Sequence, residues 1–188
     1  AFGDFIFMAN TNAAHGTELW ATDPATAKSH MVRDIYPGTA GSHPHAFLEI
    51  DGALYFAAND GIHGTELWKT DGTREGTVLA YDAFQGTESG NPTELIRWGD
   101  GRFAFTASVS QSGTYRGNAI LFGLARTSVI HVIDTSARVG PHWKPAALTD
   151  RGEWLLFSTQ SGDGHTVVWR TNTIVTHGLP ALGRGSAP

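Results

Sequence analysis

Histidine is the residue whose number and placement in this chain could do chemistry. There are nine in 188 residues, and a neutral imidazole binds Zn, Cu or Ni and takes up a proton near pH ~6.5. His43 and His45 lie in "GSHPH", and His142 lies in the matching stretch "GPHWKP" beside Trp143 and Lys144. An aromatic ring flanked by polar groups on a loop suits the stacking and orientation of a sugar ring, and loops on a rigid scaffold commonly carry recognition. Tyr115 and Arg116, in the insertion "SVSQSGTYRGN", are a second such pair. The expected ligand-binding set is therefore His43, His45, Tyr115, Arg116, His142, Trp143 and Lys144, with any metal left open. Against it stands a plain alternative, in which Trp143 packs over a sheet edge and Tyr115 and Arg116 sit on a solvated loop.

His15 and His63 are different, because they open two near copies of one phrase, "HGTELWATDPA" at 15–25 and "HGTELWKTDGT" at 63–73. A reactive motif usually occurs once, whereas a repeated phrase builds something repeated. A structural imidazole that bonds its own loop or the next unit explains both copies. The same logic makes Glu18 and Glu66 outward strand positions or hydrogen-bond partners between units, and makes Asp34, Asp82 and Asp134 structural. Asp71 in "TDGT" fits a turn in which its carboxylate accepts backbone N–H groups. One carboxylate plus Glu75 falls short of the six to eight oxygens a calcium ion wants, roughly speaking. No nucleophile elbow, phosphate loop, H-E-x-x-H or dinucleotide fingerprint occurs.

The elements that must position these residues read as short strands. A unit runs "AFLEID", Asp51-Gly52, "ALYFAA", a Gly-rich loop, "TELWKT", a turn and "TVLAYD". Asp-Gly suits the positive φ of a tight hairpin. The one helix candidate, "TREGTVLAYDAF", is interrupted by Gly76 and is rich in strand formers. Apolar neighbours sit side by side in "ALYFAA" and "ELWKT", as in strands covered on both faces. The units fall near 1–37, 38–86, 87–138 and 139–188, the last two degraded. Four-stranded units of this length stacked around an axis are β-propeller blades.

The stretch "HGTELWKTDGTREGTVLAYD" resembles the tandem ELWxxDGT repeat of bacterial surface and secreted proteins. The match is close at 63–82, good at 15–34 and weak after about 110. It departs at Asp23-Pro24, where the repeat has Asp-Gly, and at "AILFGLA", which lacks the Trp. The resemblance implies propeller-like units and a secreted, periplasmic or cell-surface setting, and it implies no activity.

The expectation is thus an all-β single domain, a β-propeller of about four four-stranded blades or a fragment of a larger ring. Its first blade lacks a first strand, which "LPALGRG" at 179–185 is expected to supply by folding back beside "DFIFM". In such a blade the second-to-third-strand loops and the blade connectors share one face, which would gather His15, His63 and His165 with His43, His45, His142 and His177. His30 and His131 fall near fourth strands. The axial channel could hold an ion through backbone carbonyls, the only cofactor expected.

Composition narrows the function. The formal net charge of -5, without a basic run, gives no reason to expect nucleic acid. No apolar run reaches the roughly 18 to 20 residues of a transmembrane helix, and no leader is legible. The absence of Cys excludes disulfides and thiolate chemistry. The chain opens on Ala1 and reads equally as a mature chain or as a piece of a longer one. The leading expectation is a non-catalytic recognition module that binds a glycan or protein partner through its loop face. The alternatives are a structural subunit of a surface assembly, with homo- or hetero-oligomer contacts, and a glycan-active hydrolase or lyase.

Overall fold

The computed structural model describes residues 5–99, 101–111, 115–124, 129–133, 145–160, 165–171 and 183–184, with the backbone alone at 110–111, 115–117, 124, 129–133, 160, 171 and 183–184. Among these residues there is no helix, and so none that could cross a membrane. The chain folds into four antiparallel sheets and divides into two compact units, residues 1–92 and 93–188.

In the first unit, β1 (Ile6–Asn12), β2 (Gly16–Asp23) and β3 (Lys28–Arg33) form a three-stranded meander, and β4 (His45–Ile50), β5 (Ala53–Asn59), β6 (Thr65–Thr70) and β7 (Val78–Tyr81) form a four-stranded one. The second unit holds β8 (Thr93–Arg97), β9 (Arg102–Gln111), β10 (Tyr115–Leu124) and β11 (Val129–Ile133), then β12 (Pro145–Arg151), β13 (Trp154–Gln160), β14 (Thr166–Thr171) and β15 (Gly183–Arg184). The matching hairpins pair in equivalent register. Met8 faces Trp20 across β1 and β2, as Phe56 faces Trp68 across β5 and β6.

Alternation sends neighbouring side chains of these strands to opposite faces. In the first unit Leu19, Ala21 and Val32 of one sheet meet Leu54, Phe56, Ala58 and Trp68 of the other in one buried cluster. In the second, Ala104, Ile120 and Phe122 meet Leu155, Phe157 and Trp169. Strands covered on both faces account for the apolar runs in "ALYFAA" and "AILF". Asp51 and Gly52 both take positive φ, 50° and 76°, as a two-residue hairpin between right-twisting strands requires.

The first strand of each four-stranded sheet carries a bulge without a sequence signal. Register shifts in β4, β8 and β12 coincide with left-handed Ala46, Glu94 and Ala147, at φ 54°, 51° and 56°. Such bulges bend the strand and re-aim its start. Glu94 uses the bend, its Oε2 accepting the Leu148 amide at 3.0 Å and so linking β8 to β12.

The C-terminal tail departs from expectation. Gly183 and Arg184 pair with Arg170 and Trp169 of β14, in the fourth-strand position of the last sheet. They do not pair with β1, because the tail meets the β14 edge that precedes it in sequence. Residues 179–182 lie outside the described residues.

Candidate functional site

The repeated phrase builds a loop clamp. Glu18 on β2 and Glu66 on β6 are fully buried, which corrects the expectation that they face outward and agrees with the other, that they bond between repeat units, since Ser42 lies in the unit at 38–86 and Gly90 in that at 87–138. Each reaches the connector that leaves its own sheet. Glu18 accepts the amides of Ile35 at 3.1 Å, Tyr36 at 3.0 Å and Ser42 at 3.0 Å, together with the Ser42 hydroxyl. Glu66 accepts the amides of Ala83 at 2.8 Å and of Gly90, with Phe84 as a lesser donor. Those three residues stand 48 positions beyond Ile35, Ser42 and Tyr36. A carboxylate has about four acceptor sites, so one side chain can satisfy the buried donors of a whole connector.

The preceding loop is fixed by the other members of the phrase. Asn12 Oδ1 accepts the amides of Ala14 and His15, at 2.9 and 2.8 Å, and lies 3.2 Å from His15 Nδ1. Asp60 does the same for Ile62 and His63, with its Oδ2 2.7 Å from His63 Nδ1. Gly16 and Gly64 then take φ of 64° and 75° and lie against the connector backbone. A Cβ there would stand 2.6 Å from the carbonyl oxygen of Thr39 or of Glu88, so "HG" is a matter of both conformation and space. Hydrogen bonds from the His43 amide to Thr17 O, at 3.0 Å, and from the Asn91 amide to Thr65 O, at 2.9 Å, complete the seam.

In the first unit, loop and connector from successive sheets also meet. The Asn59 amide donates to Ser42 O at 3.0 Å, and a Cβ on Gly61 would stand 2.8 Å from the Tyr36 ring. The result is a continuous patch with exposed His43 and Ile62 and half-buried Tyr36 and His63. Ile62, at 65% exposure, is its most protruding apolar side chain, and nothing in its sequence context singled it out.

The second copy is electrostatically perturbed. Burial pushes the Glu66 carboxyl up to about 7, against the pull of the Ala83 and Gly90 amides and with a further push from Asp82. Burial also raises Asp82, offset in part by His63, and raises Tyr81 beside both carboxyls. His63 is raised chiefly by its hydrogen bond to Asp60. Burial works against Asp60, but its bonds from His63 and Ile62 outweigh it and leave its pKa lowered. A carboxyl near 7 beside an imidazole is what acid–base catalysis uses. Here, however, both Glu66 oxygens accept backbone amides in a sealed position, out of reach of a substrate. Among the described residues, no group of three His, Asp or Glu is placed to hold a metal ion.

Of the expected binding residues, His43 and His45 are exposed. His43 has φ 51°, but Asn91, its counterpart, has 49°, so this conformation belongs to the repeat. His45 belongs to β4, not to the connector, and its Nδ1 lies 2.9 Å from His43 O. Tyr115 and Arg116 open β10, opposite Gln111 and Ser110. The insertion thus lengthens a hairpin of two ten-residue strands where a loop was expected. Their side chains, and His142, Trp143 and Lys144 altogether, lie outside the described residues. Asp71 forms the expected turn, accepting the Thr73 amide at 2.9 Å, and Asp23 accepts that of Ala25 at 2.8 Å despite Pro24.

No family model matches the chain, and no curated protein matches it either.

Proposed function

We propose that the chain is a non-catalytic, exported recognition module of β-propeller type, related to the ELWxxDGT repeat proteins, which binds a glycan or protein partner through its loop face. The observation that carries this reading is the Glu18 clamp, which holds the connector 35–42 by four hydrogen bonds while His43 and His45 beside it stay exposed. A pre-ordered loop loses little entropy on binding, so exposed side chains on it suit recognition. The polar groups best suited to acid–base chemistry are occupied in holding loops, which favours binding over turnover.

The test is a glycan array, together with capture of extracellular proteins, using the wild type, a His43→Ala/His45→Ala double variant and Trp143→Ala. A specific partner lost in one of these variants, with the unfolding temperature unchanged, supports the reading. Product release from a bound glycan, or binding that none of the substitutions affects, contradicts it.

A further inference from the structure

The first and last sheets each carry an unmatched half of a contact that occurs complete within each unit. The knob of that contact is one position on a sheet's third strand, or on β2 in the sheet that begins with β1. Leu19 and Ile120 hold this position, opposite Ala9 and Thr106, and both are fully buried. Leu19 packs with Leu54, Phe56 and Trp68, and Ile120 with Leu155, Phe157 and Trp169. In both sockets the first two residues come from one strand and the tryptophan from the next.

On the last sheet the same knob position is Val168, opposite Ser158. Its neighbour Trp169 points into the second unit's cluster, so Val168 points to the other face, and it is 54% exposed. On the first sheet the socket positions are Ile6, Met8 and Trp20. Phe7 packs against the first unit's cluster, so Ile6 and Met8 point away from it. Ile6 and Met8 are 53% and 37% exposed, against 6% and 0% for Leu54 and Phe56. Burying apolar side chains of this size is favourable, and exposed apolar groups that share a face mark an interaction surface.

We infer that the face of the first sheet bearing Ile6, Met8 and Trp20 binds a second copy of this chain, receiving the face of that copy's last sheet that bears Val168. The occupant is identified by the repeat, because two such contacts already exist and Val168 has the position and apolar character of their knobs. Leu156, next but one to Ser158 along β13, lies on the same face as Val168 and extends it. A contact between two different faces is heterologous, so each docked copy offers a fresh face and association continues unless the arrangement closes. This inference is independent of the loop-face reading.

Sedimentation velocity of the full chain over rising concentration tests it. The wild type is expected to grow beyond a dimer or to stop at a closed ring. Met8→Asp and Val168→Asp should each be monomeric alone, yet form a one-to-one complex when mixed, because each retains the face the other lacks. Both sites are exposed, so folding should survive, and Ile6→Asp replaces Met8→Asp if circular dichroism shows that it does not. A wild type that stays monomeric at submillimolar concentration overturns the inference. So does association that persists in the single variants, or a mixture that does not pair.

Discussion

The two copies of the repeated phrase hold their connectors with the same atoms in different electrical surroundings. At the loop, Asn12 stands in the first copy where Asp60 stands in the second. At the connector, Ser42 gives Glu18 both an amide and a hydroxyl, whereas Gly90 gives Glu66 an amide only. A Cβ on Gly90 would stand 2.6 Å from Glu66 Oε2, so this carboxylate occupies space that the Ser42 side chain takes in the first copy. The second copy therefore has one donor fewer and one carboxylate more. There burial holds the clamp carboxyl, Glu66, near 7. The geometry survives the change of charge, which argues that the phrase works by position.

The largest expected difference follows from donor count. Glu18→Ala strands three amides, two of them buried, and a buried hydroxyl, and an unmade buried hydrogen bond costs about 1 to 3 kcal/mol. Even with partial relaxation the loss should be roughly 4 kcal/mol in urea unfolding. Glu66→Ala should cost less, roughly 2 kcal/mol, since it strands fewer donors. Equal losses would break the distinction between the copies.

Stability against pH sharpens it next. Glu66 has an ordinary value of 4.5 and a folded value of about 7, so the folded state binds its proton more tightly and stability falls as pH rises between them. Raised Asp82 acts in the same direction. Raised His63 contributes stability below its ordinary 6.5 that is lost as pH rises through its folded value. The wild type should therefore unfold more easily at pH 8 than at pH 5, and Glu66→Gln should remove the largest part of that slope. A slope unchanged in the variant would place its source elsewhere.

A reciprocal exchange gives the smallest effect. Asp60→Asn should lower the His63 titration midpoint followed by NMR, while Asn12→Asp should raise that of His15 above its wild-type value. Stability should change by under about 1 kcal/mol in either case, as for a partly exposed pair. Midpoints that do not move would remove the charge at position 60 as the cause.

Much of the fold was legible because its signals are local. Asp51-Gly52 marked its hairpin, the spacing of the "ELW" strands set the repeat, and a first unit that opens on "DFIFM" foretold a first sheet one strand short. What escaped was non-local or side-chain neutral. Glu18 meets amides 17 to 24 residues away, a pairing no spacing rule describes. The bulges at Ala46, Glu94 and Ala147 bend residues with no preference for positive φ. The insertion around Tyr115 looked like loop because Ser and Gly dominate it, yet hydrogen bonding to β9 carries the hairpin outward. Tail closure against β1 rested on the strand character of "LPALGRG", which does not say which edge the strand will choose.

Amide hydrogen exchange on wild type and Glu18→Gln addresses the clamp most directly. A glutamine has one acceptor oxygen where the carboxylate has two, and its NH2 must face a donor. Ile35, Tyr36 and Ser42 should then lose protection together while the amides within β2 keep theirs. Protection at those three amides that is unchanged in the variant would contradict the account.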